Sequence, residues 1–284
     1  MSAERTANQR AATAVAPAVD RPPTSSVPVA VPADPRVRVA LSCRLDPPDA
    51  VLGDGNVSLV VGSVGGAQVL AARRALLAAV GLDLDRAVFA EQVHGAGVAR
   101  VGRADRGRGA LDHADAIPDA DALVTTDSGI GLVVMAADCV PVVLVAPGAG
   151  VAAVHVGRLG VTAGVVSAAV GALVRATRGA AGALTAILGP AIGGCCYEVP
   201  LDMADALASQ VPAARAVTDR GTPGLDLPAA VQAQLADCGV GEVVRMAGCT
   251  RCDLRSARFS HRAAQEGDRP QGRQALVVAR LGDL

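Results

Sequence analysis

The chain has 284 residues and a net charge of −1, so it offers no electrostatic footprint for nucleic acid. Trp is absent and there are only two Phe and one Tyr, which removes base-stacking platforms and leaves the core to Val, Leu, Ile and Ala. Seven Cys in a chain too long to need disulfide staples, and a start lacking the basic and apolar regions of a secretory signal, point to a reducing, cytoplasmic setting.

Residues 1–35 are rich in Ala, Pro, Thr and Ser and are expected to form a disordered tail, because they carry too little apolar surface to offset ordering entropy. One domain is expected over residues 36–284. Its first strand is predicted at residues 37–44 (VRVALSCR), followed by a helix over 67–82 and a short strand running into EQVHGAGVARV. Three strands then succeed one another directly, over 131–137, 140–146 and 151–156. The surrounding stretch from Gly129 to Gly157 has a single formal charge, Asp138, and is long enough to cross a bilayer. Pro141, Pro147 and a turn at Gly148 and Gly150 mark it instead as buried strands, and no membrane partner is expected. Further along, helices are predicted over 161–179 and 226–240, and strands over 183–190, 242–248 and 273–281. Helices mixed with directly successive strands suit mixed sheets in an α/β or α+β domain.

The chain has four His. His94, in EQVHGAG, directly precedes a Gly, and His155, in AAVHVG, has one two residues on, each letting the backbone turn near the ring. Cys139 lies 16 residues before His155 with a turn between, so neighbouring strands can bring both to one end of a sheet. Two imidazoles and a thiol suit zinc and leave a fourth position for water, although such a dispersed trio also reads as two ordinary His and a buried small hydrophobe. Cys139 is alternatively a nucleophile with a His base. Asp138 would need a bulge to share its site, and otherwise orients a ligand His from behind. His113 lies in a polar loop and is expected to be indifferent to metal. The glycines of ILGPAIGGCCYEVP, Gly193 and Gly194 among them, can present N–H groups to an anion. Cys195 and Cys196 read as core or lining. Cys249 and Cys252 form a C-x-x-C without a second pair or a nearby His in sequence, so no zinc knuckle is expected there. Arg251, Arg255, Arg258, Arg262 and Arg273 gather near the C-terminus, and arginine suits phosphate or carboxylate.

The ordered motifs QVHG, DALVT, ADCVPVVL, AAVH-x-G, GPAIGGCCYEV, GLDLPAAVQAQL, FSHR and GRQA resemble the YfiH-like family. That family has been described as a laccase-domain polyphenol oxidase, a purine nucleoside phosphorylase and a peptidoglycan editing factor. The resemblance covers residues 37–284. It implies a single α+β domain of layered α/β/β/α architecture with zinc held by His94, Cys139 and His155. It also carries over Arg44, Arg262 and Arg273 as phosphate-binding arginines. The implied activity is zinc-dependent purine nucleoside phosphorolysis with adenosine deamination, small molecules being the partners. Asp138 and Arg44 are the catalytic candidates. The Glu-bearing signature of zinc deaminases is absent. Alternatives are an editing hydrolase acting on a peptidoglycan precursor through Cys139 or zinc-activated water, a copper polyphenol oxidase, and a non-catalytic metal-binding member.

Two departures matter. Where the family reads H-A-G-W-R-G this chain reads HVGRLG, so Arg158 stands at the Trp position and Leu159 at the Arg position. On an extended segment the charge would move to the opposite face, and weakened activity is expected unless Arg158 replaces the missing cation. The glycine-rich segment after the early T-R is also replaced, by LDPPDAVLGDG.

Overall fold

The computed structural model describes residues 26–31, 34–46, 48–253 and 257–282. The strands are β1 (Ser26–Val29), β2 (Val37–Ser42), β3 (Ala87–Phe89), β4 (Val98–Arg100), β5 (Ala122–Thr125), β6 (Gly131–Ala136) and β7 (Val140–Ala146). They continue with β8 (Gly150–Val156), β9 (Thr185–Leu188), β10 (Arg215–Val217), β11 (Pro223–Leu225), β12 (Glu242–Arg245) and β13 (Gln274–Arg280). The α-helices are α1 (Gly66–Ala78), α2 (Arg158–Ala163), α3 (Val165–Thr177), α4 (Leu201–Gln210), α5 (Leu227–Asp237) and α6 (His261–Gln265).

Every residue of β6, β7 and β8 is buried, as strands covered on both faces must be. The covering follows from two stacked mixed sheets. One has the order β1-β2-β13-β6-β3 and the other β12-β9-β7-β8-β5-β4. Between them Leu41, Val134 and Leu276 of the first sheet meet Val143, Val145 and Ile187 of the second. On the outer face of the six-stranded sheet Val166, Val170 and Leu173 of α3 pack with Val231 and Leu235 of α5. Leu76 and Leu77 of α1 cover the outer face of the other sheet. The layers are therefore α/β/β/α in one domain, the expected α+β architecture. Among the described residues no helix is long and apolar enough to cross a membrane.

The disorder expected of residues 1–35 fails over its last part, while residues 1–25 lie outside the described ones. Ser26–Val29 pairs antiparallel with β2, Val29 opposite Val39, so the strand predicted as first is second. Asp34 is 3 % exposed. Its carboxylate accepts the N–H of Gly148 at 2.7 Å and that of Arg36 at 2.9 Å, tying this segment to the β7–β8 turn. Alternating valines and a single buried acid are too weak a signal to separate from a proline-rich tail. The helix predicted over 161–179 begins earlier and is broken: α2 starts at Arg158, and Gly164 at φ 80° ends it and opens α3. The helix α4 has no counterpart in the sequence reading.

Candidate metal centre

The polypeptide crosses from one sheet to the other between β6 and β7, using Ala137, Asp138 and Cys139. Asp138 makes the turn at φ 84°, an uncommon conformation for a residue other than glycine. This resolves how adjacent residues serve one region without a bulge. The Asp138 carboxylate accepts from the Thr250 hydroxyl at 2.6 Å and from the Arg262 N–H at 2.7 Å. Cys139 turns the other way, its Sγ 3.8 Å from His94 Nε2. His155, one residue from the end of β8, stands opposite Pro141 in the β7–β8 ladder.

His94 arrives on the loop between β3 and β4. Gln92 docks that loop onto β6 through a two-point pairing, donating to Met135 O at 2.6 Å and accepting from Met135 N–H at 2.8 Å. Gln92 and His94 both take left-handed backbone, φ 59° and 63°, a strain that surrounding contacts must hold. Much of the holding comes from Asp121, which is 2 % exposed. Its carboxylate accepts the N–H groups of His94 at 3.0 Å and Gly95 at 2.6 Å. It also accepts from His155 Nδ1 at 2.8 Å, which leaves His155 Nε2 for the cluster. Orienting His155 thus falls to Asp121 and not to Asp138. A Cβ at Gly157 would stand 2.8 Å from the His94 ring and 3.0 Å from Cys139 Sγ, so glycine is required there.

The donor atoms of His94, Cys139 and His155 all lie within 4.8 Å of one another, His94 on the solvent side and His155 buried. Their rings meet edge to face at 4.7 Å between centroids. Around a tetrahedral zinc, sulfur and nitrogen ligands stand about 3.6 Å apart given the usual bond lengths. The observed sulfur–nitrogen separation of 3.8 Å fits such an ion. Burial opposes charge on both Cys139 and His155. Their mutual contact, with His94 beside the thiol and Asp121 beside the imidazole, nevertheless lowers the pKa of Cys139 and raises that of His155. The thiol is therefore poised as thiolate, the form that binds metal.

Other candidates gather around this centre unevenly. Tyr197, unremarked in the sequence except as the sole tyrosine, joins it. Burial raises its phenol pKa, as does the Cys139 charge, while Arg158 and Arg262 oppose, Arg158 also through a hydrogen bond. Arg158 lies in the first turn of α2, not on an extended segment, so strand alternation does not apply to it. Leu159 is 51 % exposed. Arg262 stacks 5.6 Å over the Tyr197 ring and donates to Glu198 O at 3.0 Å. Arg273 feels Cys139 and Asp138, although burial leaves its pKa lowered overall. Arg44 pairs with Asp46 at 3.0 Å and keeps a buried Nε without a partner among the described residues. The Gly193 N–H, expected to meet an anion, is taken by Cys249 Sγ at 3.2 Å. A Cβ at Gly194 would stand 2.8 Å from that of Ala216 and 3.2 Å from that of Asp226. His113 sits in a short 3-10 turn away from the triad, and Arg255 lies outside the described residues.

The C-x-x-C at Cys249 and Cys252 does have a second pair. Cys195 and Cys196 come within 4.8 Å of it, sulfur to sulfur. Parallel pairing of β12 with β9 brings the following loops together, which sequence spacing alone cannot reveal.

Two stacked mixed sheets with a His–Cys–His cluster at the crossing between them define a class of layered α+β proteins with a metal-competent centre. Residues 51–281 match the family model described as multi-copper polyphenol oxidoreductase laccase, and the chain belongs to that family. A purine nucleoside phosphorylase of Streptomyces coelicolor is 44 % identical over 225 residues, covering 78 % of this chain and 86 % of the relative. One from Mycobacterium bovis is 42 % identical over 219 residues, covering 75 % and 79 %. The crystal structure of YlmD from Geobacillus stearothermophilus superposes with a TM-score of 0.79 at 32 % identity, covering 89 % of this chain and 94 % of that one.

Proposed function

We propose that the chain is a zinc-dependent purine nucleoside phosphorylase that also deaminates adenosine. The carrying observation is the convergence of His94, Cys139 and His155, with Asp121 behind them, in a chain whose relatives are named purine nucleoside phosphorylases. Zinc held by these three residues would supply Lewis-acid polarisation and water activation near neutral pH. Copper oxidation fits less well, because a multi-copper centre needs more imidazole than two histidines supply, and His113 is outside the cluster.

In phosphorolysis a phosphate oxygen forms a bond to ribose C1′ while the bond to the purine breaks, and the purine leaves with its electron pair and takes up a proton. Arg158 and Arg262 act electrostatically on Tyr197, and Arg273 feels Cys139 and Asp138; these three cations are assigned to phosphate. Arg44 joins them through its unpartnered Nε, a donor left for a ligand. Tyr197, which feels both Arg158 and the Cys139 charge, orients the substrate. Asp138 acts by positioning, since both its oxygens are engaged.

A second reading has one observation in its favour. Asp121, His155 and Cys139 stand in the order of an orienting acid, a base and a nucleophile, the arrangement of cysteine hydrolases. An editing hydrolase of this kind would stay active without metal and die on alkylation of Cys139.

Arg158 tests the phosphate assignment. Loss of a charge-assisted hydrogen bond of 1.5–3 kcal/mol should make Arg158→Ala roughly 10- to 100-fold slower in kcat, with metal content unchanged. Leu159→Ala should be near neutral. Equal turnover for Arg158→Ala and the parent would remove Arg158 from the reaction and return the site to the weakened state suggested by the lost Trp-Arg pair.

A further inference from the structure

Six cysteines lie outside the triad, and four of them, with no part in the reaction above, bring their sulfurs together. We infer that Cys195, Cys196, Cys249 and Cys252 hold a second metal ion, a structural zinc in a tetrathiolate site. The four sulfurs lie within 4.8 Å of one another. Cys195 and Cys252 are 3.7 Å apart, against an edge of about 3.8 Å for a sulfur tetrahedron built on the usual zinc–sulfur bond. That compactness suits one ion at the centre. A polynuclear iron–sulfur cluster binds its thiolates through different metal atoms and needs them spread wider. A disulfide between Cys195 and Cys252 would require closing their gap to about 2.05 Å, leaving Cys196 and Cys249 as half-buried thiols without a role.

The backbone around the cluster has the form of a metal-binding turn. Cys249 and Cys252 keep the two-residue spacing common among zinc ligands. Gly193 donates its N–H to Cys249 Sγ at 3.2 Å. Such N–H donors orient a metal-bound sulfur from behind. Four thiolates and a divalent cation leave two negative charges; Arg220, Arg251 and Arg262 line the small cavity beside the cysteines together with Glu198, Asp219 and Glu266, and Arg251 is paired with Glu266 and Asp268.

The two loops are joined by more than the cysteines. Ala191 bridges to Cys249, and the Thr250 N–H reaches Ala191 O at 3.1 Å. One loop carries Tyr197 and the other carries Thr250, the partner of Asp138. A metal between them would fix both against the His–Cys–His centre. This second ion is independent of the proposed reaction, since it rests only on the thiols.

The test is metal content of the full chain, purified under reducing conditions with zinc supplied. About two zinc ions per chain are expected, one for each ligand set with its four or three protein donors. Cys252→Ser should retain about one, as should Cys139→Ala, and the double variant none. Cobalt(II) supplied in place of zinc should give strong sulfur-to-cobalt charge-transfer absorption that Cys139→Ala largely keeps and Cys252→Ser largely loses. If Cys252→Ser fails to fold, alkylation of the parent read by mass spectrometry still decides. The four thiols should be protected with zinc and react once it is chelated. Zinc content unaffected by Cys252→Ser overturns the inference, as does alkylation of the four cysteines regardless of zinc, or a Cys195–Cys252 disulfide in protein kept reduced.

Discussion

His155→Ala is expected to abolish metal binding at the His–Cys–His centre and, with it, nucleoside phosphorolysis. His155 is the most buried of the three donors, and its Nδ1 is committed to Asp121 at 2.8 Å, so no neighbouring group can replace its Nε2. The loss should exceed the roughly 10- to 100-fold that removal of a supporting outer partner costs a metal site. Asp121→Ala should fall inside that 10- to 100-fold range, since it releases the His155 ring and the His94 and Gly95 N–H groups together. Cys139→Ala and His94→Ala should each strip the same ion, while His113→Ala should leave metal and activity as they were. Elemental analysis beside steady-state kinetics checks the whole series. Full metal retention in all three ligand variants would show the assignment to be wrong.

Asp138→Ala is expected to destabilise the fold by about 3 kcal/mol, since hydrogen bonds to charged groups contribute about 1.5–3 kcal/mol each. One partner is the hydroxyl of Thr250, which is fully buried, and the other is the backbone N–H of Arg262. Both would be orphaned, and the loop bearing Thr250 and the first turn of α6 at Arg262 would lose their anchor at the sheet crossing. The expected signature is a lower melting temperature together with a raised KM for phosphate. Asp138→Asn, which keeps one carbonyl oxygen as acceptor, should recover part of each. A variant with parental melting temperature and KM but collapsed kcat would instead make Asp138 the acid or base suggested by its place beside Cys139.

Much of the centre was legible because its residues sit in short, distinctive contexts. His94 directly precedes a glycine and His155 stands two residues before one, Cys139 interrupts an apolar run, and the order of motifs carried the family resemblance. The two-sheet core was legible for a related reason: strands apolar on both faces announce that both faces are covered. What was missed depends on pairing across distance. Asp121 is one acid among several in DAIPDADALVTTD, and only the meeting of β5 with β8 sets its carboxylate against His155. The cysteine quartet needs β12 beside β9. The Arg158 expectation failed locally: HVGRLG reads as a continuing strand, whereas β8 ends at Val156 and a helix begins at Arg158. The N-terminal strand was hidden by its proline-rich neighbours.

The most direct measurement follows base release by metal-replete protein from inosine, adenosine and methylthioadenosine, with and without inorganic phosphate, with ammonia recorded in parallel. Base release that requires phosphate and yields a ribose 1-phosphate product, accompanied by ammonia from adenosine, is the expected result. Fully metallated protein that releases neither base nor ammonia from any of the three would contradict it.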